Sequence, residues 1–421
     1  MKKASPRRTG VKPDNLKNTK VKIMDELDIR TSTIHAGGID LAKKLNESVS
    51  VPKVLPVYMT SVFSFDDVPA LDRAYEQPDG NYVYSRMSNP NHSAAEETLA
   101  AAEKAEAAAV FASGMAAITT TLLACVKSGD HIVASSVLYG GVYDFLANEL
   151  PRFGVSVTFA DTTDADAVRA ALRENTVIVY AETICNPLME VADIPQLARI
   201  AHEHSCRLLI DNTFAPAVAR PLSLGADIVL YSTTKYLGGH SDIMGGAAVA
   251  DAETIARLKH HAALYGGIMS PFDAWLLCRS LRTLDMRVAQ HSRNALAVAQ
   301  FLHDHPKIER VYYPGLADSP YKAIADRQFL GGRYGGMLSA DIANGEKGAS
   351  DFIRACPTIK LVPSLAGVAT TVSYPVKTSH RSYSAEALHE AGISAGQLRF
   401  SIGLENIDDI LSELDEALRQ V

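Results

Sequence analysis

Cysteine is scarce in this 421-residue sequence, and Cys125, Cys185, Cys206, Cys278 and Cys356 stand far apart, odd in number and never in a Cys-x-x-Cys pair. That excludes a disulfide framework and fits reduced thiols in a cytoplasm. His202, His204 and Cys206 make the single metal-like cluster, but they fall at a helix-to-strand junction without a fourth ligand, so no metal is expected. No hydrophobic run reads as a membrane span. Residues 107–126, AAAVFASGMAAITTTLLACV, lack charge for twenty positions, yet Ser113-Gly114 punctuates them and three threonines follow. The pattern predicts a short buried strand turning into a helix. Positive charge is also lacking. The net charge is −7, and residues 1–22 alone carry eight Lys/Arg against Asp14, which leaves about −14 for the remainder. That sign disfavours a nucleic-acid partner, and the basic segment has no apolar signal region, so residues 1–30 are expected to form a flexible arm.

What is present is a chain long and apolar enough, at 47% hydrophobic and 21% charged, for a large core in two domains. From about residue 88 to 250, seven short apolar runs (AAAVFAS, HIVASS, VSVTFAD, TVIVYAE, RLLIDN, DIVLYS and GGAAVAD) alternate with amphipathic patterns such as DIPQLARIAHEHS. This predicts an α/β fold with a mainly parallel seven-stranded sheet covered by helices. Beyond residue 270, one or two long helices give way to the separated strand candidates RVYYPG, GMLSADI, IKLVPS and LRFSIGLE and a helical tail. A smaller C-terminal α+β domain is therefore expected.

Parallel α/β sheets place ligands at the carboxyl ends of their strands. There the sequence puts Asp211 after RLLI, Ser232, Thr234 and Lys235 after IVLY, Glu182 and then Asn186 after VIVYA, and Gly114-Met115 at a helix start. The GxGxxG fingerprint of dinucleotide folds is missing, and so is the Walker pattern, since Lys235 follows STT and precedes its glycines. An aldehyde cofactor captured by a lysine fits better. Pyridoxal 5′-phosphate needs an imine-forming lysine and an acid that keeps its ring nitrogen protonated, roles that suit Lys235 and Asp211. The hydroxyls of Ser232 and Thr234 and the backbone N–H groups of Gly114 and Met115 suit its phosphate, and Tyr139 offers an aromatic face. Singly, each has an ordinary reading: a strand-end Asp caps a helix, Ser/Thr pairs do the same, Tyr139 is a turn aromatic, and a Lys beside a Tyr is a solvated lysine. Their coincidence at one sheet edge outweighs these.

The motifs YSRMSNPN, FASGMAAI, LYGG, ETICNP, LLIDNTF, STTKYLGGHSD and LRFSIGLE, in this order, resemble the pyridoxal-phosphate enzymes of cysteine and methionine metabolism. These include methionine γ-lyase, cystathionine γ-lyase, cystathionine γ-synthase and the homoserine sulfhydrylases. The resemblance runs from TSTIHAGG at residue 31 to SIGLENIDDIL near the end. It implies the fold-type I architecture of aspartate aminotransferase, with residues 1–87 as an arm on a neighbouring subunit, 88–285 as the cofactor domain and 286–421 as the small domain. Lys235 is then the Schiff-base lysine, Asp211 the pyridinium partner, and Gly114, Met115, Ser232 and Thr234 the phosphate cradle. Tyr139 is the stacking ring that also helps proton traffic. Tyr84 and Arg86 reach the phosphate of a neighbouring subunit, which implies a homotetramer of active-site-sharing dimers. Arg399 clamps the substrate carboxylate with Asn186 and Ser364 beside it.

Within the family, KYLGGHSDIMGG looks more like the lyase and cystathionine branches than the sulfhydrylases. Cystathionine-handling members commonly place a glutamate before the serine equated with Ser364, where it can meet a distal amine. Here Pro363 offers neither charge nor donor. Many methionine γ-lyases have a cysteine after LYG; here it is Gly141. The balance implies a cytoplasmic γ-lyase acting on methionine or a related sulfur amino acid. A γ-replacement enzyme using activated homoserine, or a cystathionine γ-lyase, stands next. An aminotransferase, a β-lyase and a non-catalytic binding protein stand behind.

Overall fold

A computed structural model describes residues 28–37, 52–77, 80–378, 381, 388 and 392–421. The basic segment 1–22 lies outside the described residues. Seven strands form the large sheet: β1 (Ala107–Phe111), β2 (His131–Ser135), β3 (Ser156–Ala160), β4 (Thr176–Glu182), β5 (Arg207–Asp211), β6 (Ile228–Ser232) and β7 (Gly246–Ala250). Their order is β1-β7-β6-β5-β4-β2-β3. β7 pairs antiparallel with both β1 and β6, and the other pairings are parallel. Each of the seven apolar runs forms one strand.

Strand alternation divides the core into two layers. Val179, Ala181, Leu208, Ile210, Val229 and Tyr231 join one hydrophobic cluster. Ile178, Tyr180, Leu209, Ile228 and Leu230 join the other. Continuing the period by two residues puts Glu182, Asp211 and Ser232 on the second face, at the ends of their strands. The helix Gly114–Cys125 packs on that face, with Ile118 and Leu122 in the same cluster. Ser113 caps its start, its side chain accepting from Ala116 N at 3.0 Å, so the uncharged run 107–126 is a strand followed by a helix. The candidate metal residues are otherwise engaged: His202 Nε2 lies 3.0 Å from Asp227 Oδ2, His204 Nδ1 lies 3.1 Å from Ile200 O, and Cys206 donates to Thr176 O.

The smaller sheet has the order β10-β11-β12-β9-β8, built from β8 (Ile308–Tyr312), β9 (Met337–Ile342), β10 (Lys360–Leu361), β11 (Thr371–Ser373) and β12 (Gln397–Ser401). Leu338, Ala340, Val372, Leu398 and Phe400 bury one face in a third cluster. Ser339, Arg399 and Ser373 sit in register on the other face, and Ser339 Oγ donates to Pro187 O at 2.7 Å, joining this face to the loop after β4. The 20-residue helix Leu284–His303 belongs to both cores: Leu284 and Val288 pack in the large one, Val298 and Leu302 in the small one. Among the described residues no helix is long and apolar enough to cross a membrane.

Candidate active site

A cavity of about 590 Å³ opens where the carboxyl ends of the large sheet meet the polar face of the small one. Gly114, Met115, Tyr139, Asn186, Asp211, Ser232, Thr234, Lys235, Ser364 and Arg399 all line it. Lys235 follows β6 in a tight turn and reaches across the cavity, its Nζ donating to Ser364 Oγ at 2.9 Å. Burial, and then the charge of Arg399, lower the pKa of its amine, so the neutral nucleophile is easier to reach than in water.

Asp211 ends β5 beside Glu182 at the end of β4. Its Oδ1 accepts from Thr213 N at 2.9 Å, but burial outweighs the hydrogen bonds and raises its pKa. Glu182 is raised by burial and by its acidic neighbour, and its Oε1 accepts the backbone N–H of Tyr139 at 2.7 Å. Neither acid has an ion-pair partner among the described residues. Two adjacent buried carboxyls without a cation form a place for a protonated ring nitrogen.

At the phosphate end, Gly114 and Met115 occupy the first turn of their helix, where backbone N–H groups lack intrahelical acceptors and the dipole favours an anion. A Cβ on Gly114 would lie 2.8 Å from Ser232 Cβ, so only glycine lets this helix start approach the end of β6 so closely. Thr234 Oγ1 accepts from Gly245 N at 3.0 Å. Thr213 braces the cradle, its Oγ1 accepting from Ser232 N at 2.8 Å. The donors, the lysine and the acid thus fit pyridoxal phosphate.

Arg399, from central strand β12, donates to Asn186 Oδ1 at 2.8 Å and to Ser364 O at 3.2 Å. Its Nε is buried without a partner among the described residues, and burial lowers its pKa to about 10. A buried guanidinium that meets only neutral oxygens suits an incoming carboxylate. Tyr139 is 51% exposed at the cavity, and a Cβ at Gly141 would come within 2.9 Å of its Cε1. Glycine at 141 therefore leaves the ring this orientation.

Tyr84 and Arg86 do not line this cavity. Both are exposed, the Arg86 guanidinium lies 5.5 Å from the Tyr84 ring centroid, and its Nη1 donates to Ala263 O. Lining residues that the sequence reading did not single out include Thr213, Phe214, Met244, Lys377, Thr378 and Arg381. Thr213 had a usable signal, two residues beyond the strand-end acid. Phe214 follows it directly, whereas Met244, Lys377, Thr378 and Arg381 come from segments distant in sequence whose approach is a tertiary event.

A mainly parallel sheet with a lysine, an acid and an anion cradle at its strand ends is the architecture of the fold-type I pyridoxal phosphate enzymes. The chain belongs to the Cys/Met metabolism PLP-dependent enzyme family, whose sequence profile matches residues 30–419. It is 40% identical over 392 residues to the L-methionine gamma-lyase of Porphyromonas gingivalis, covering 92% of this chain and 96% of that one. Over 369 residues it is 40% identical to the cystathionine gamma-synthase of Mycobacterium tuberculosis, covering 86% and 91%. The crystal structure of metB from Corynebacterium glutamicum superposes with a TM-score of 0.86 at 36% identity, covering 94% of this chain and 99% of that one.

Proposed function

We propose that the protein is a carbon–sulfur lyase that carries out α,γ-elimination on methionine or a related sulfur amino acid, consuming water and giving a thiol, ammonia and a 2-oxo acid. The observation that carries this reading is one cavity lined by the Lys235 amine, by two acids on one wall and by Arg399 on the other, neither wall ion-paired among the described residues. Pyridoxal phosphate, when bound, supplies an aldehyde for covalent capture of an amine and a protonated ring that withdraws the electron pair left at the substrate Cα. Asp211 would hold the proton on the ring nitrogen, and Gly114, Met115, Ser232 and Thr234 would hold the phosphate.

Lys235 anchors the cofactor at rest. With the substrate bound, the neutral Nζ of Lys235 would take the Cα proton. Arg399 orients the substrate by its carboxylate, with Asn186 and Ser364 fixing the guanidinium. Tyr139 lines the same cavity and would protonate the leaving sulfur or modulate Lys235. Pro363, lining the cavity without charge or N–H, supports methionine over a substrate with a distal amine.

Tyr84 and Arg86, turned away from their own cavity, support a homotetramer of dimers in which each subunit completes its neighbour's phosphate site. Five free thiols support a cytoplasmic setting. The relative named cystathionine gamma-synthase supports a second reading, γ-replacement. A panel of methionine, homocysteine, cystathionine, cysteine and O-acyl homoserines, with and without a thiol acceptor, separates the two. The expected result is 2-oxobutyrate from methionine without an acceptor. Amino-acid product formed only when a thiol is added would replace elimination by γ-replacement.

A further inference from the structure

The turn that carries Lys235 closes through Lys235 N to Ser232 O at 3.2 Å, Gly238 N to Thr233 O at 2.8 Å and Gly239 N to Lys235 O at 2.7 Å. These bonds do not use the carbonyls of Tyr236 and Leu237, which belong to residues only 1% and 3% exposed. Both are met by one side chain. Arg287 donates from Nη1 to Tyr236 O at 2.7 Å and from Nη2 to Leu237 O at 3.4 Å. The same guanidinium reaches Ser280 O at 2.9 Å and Thr283 Oγ1 at 3.2 Å, tying the turn to the end of the helix Pro271–Leu281.

The cation is held by neutral oxygens and by the C-terminal, negative end of the helix Pro271–Leu281. Arg287 is 6% exposed, lies near the N-terminal, positive end of the helix Leu284–His303, and has no ion pair among the described residues. The opposing surface is shaped to it. Gly239 has φ +73°, and a Cβ on it would lie 2.0 Å from Arg287 Nη1, so the guanidinium fills the space that glycine leaves.

We infer that Arg287 is a positioning residue for Lys235: by holding the two carbonyls that follow the lysine, it sets where the amine stands between Asp211 and Arg399. The inference rests on the role of Lys235 proposed above. Without the fork, two buried carbonyls lose their donors, and the turn must shift to find others.

The test compares Arg287→Met and Arg287→Lys with Val288→Ala, which removes apolar packing from the same helix. Amide exchange of residues 233–240 is read on the cofactor-free full-length protein, and the pH midpoint of the bound cofactor's absorbance change on the holoenzyme. Arg287→Met should speed exchange there by about tenfold, move the midpoint by roughly half a pH unit and lower kcat by about 10²-fold with little change in KM. Arg287→Lys should recover part of each, and Val288→Ala should lower Tm while leaving exchange and midpoint unmoved. Exchange and midpoint in Arg287→Met that match Val288→Ala would overturn the inference. Should Arg287→Met not fold, Arg287→Lys decides on the same two readouts, a shift supporting the inference and wild-type values overturning it. Borohydride reduction with peptide mapping separates the failures. Label on another lysine overturns the role of Lys235 and this inference with it, whereas label on Lys235 with both readouts unmoved overturns this inference alone.

Discussion

The two walls of the cavity differ in kind, acids on one and a guanidinium on the other, and do not neutralise each other. The large sheet contributes Glu182 and Asp211, side by side at the ends of β4 and β5. The small sheet contributes Arg399, whose hydrogen bonds go to an amide oxygen and a backbone carbonyl. Burying these groups carries a desolvation cost that no ion-pair partner among the described residues offsets. The acids respond with raised pKa values and the guanidinium with a lowered one. The contrast teaches what is missing from each side: a cation at the sheet ends and an anion beneath the small sheet. On the proposed function, a protonated cofactor ring and the carboxylate of an amino acid would supply these.

The contrast is broken most directly by removing one charge from each wall. Asp211→Asn keeps the shape and loses the negative charge that faces the ring, so kcat should fall by about 10²–10³-fold while KM changes little. Arg399→Ala should act mainly on binding, lowering kcat/KM by about 10²–10³-fold, the size expected when one member of a buried charge pair is truncated, with KM carrying most of it. Steady-state kinetics with methionine checks both. If Arg399→Ala lost kcat alone, the assignment of that wall to the carboxylate would be wrong.

A buried acid outside the cavity sharpens the comparison, because no ligand is expected to relieve it. Glu103 accepts from Tyr231 Oη, and burial pushes its carboxyl from 4.5 up to about 7. The folded chain therefore keeps this proton where the unfolded chain has lost it. Its contribution to stability is fully present below pH 4.5 and is lost as pH rises to 7, on the order of 3 kcal/mol. Glu103→Gln retains an acceptor for Tyr231 and cannot ionise. The Tm of the variant relative to wild type should rise between pH 5 and 8, and a difference independent of pH would show that Glu103 does not titrate in this range.

Much of this arrangement is legible in the sequence because it is local. The seven strands were readable as apolar runs, all but the edge strand β3 largely buried, and each strand-end polar residue follows its own run directly. β11 escaped because Thr371–Ser373 is only three residues long and owes its existence to pairing with β10 and β12. Arg399 was reached only through family resemblance, although the pattern Leu398-Arg399-Phe400 already implied that the arginine leaves the core its neighbours enter. The bond from Tyr139 N to Glu182 spans 43 residues and has no local signature.

The smallest expected effect concerns the rim where the walls meet. Pro363 is exposed at the cavity and precedes Ser364, whose hydroxyl touches Lys235 and whose carbonyl touches Arg399. A glutamate at 363 would place a carboxylate where the distal amine of a longer substrate can reach it, beyond both charged walls. Because the position is solvated, that attraction is worth no more than about 1 kcal/mol. Pro363→Glu should therefore raise kcat/KM for cystathionine relative to methionine by up to about fivefold, with the value for methionine itself little changed. A gain much larger than this would mean that the proline constrains the backbone carrying Ser364, and that substrate choice is set by the shape of the rim more than by its charge.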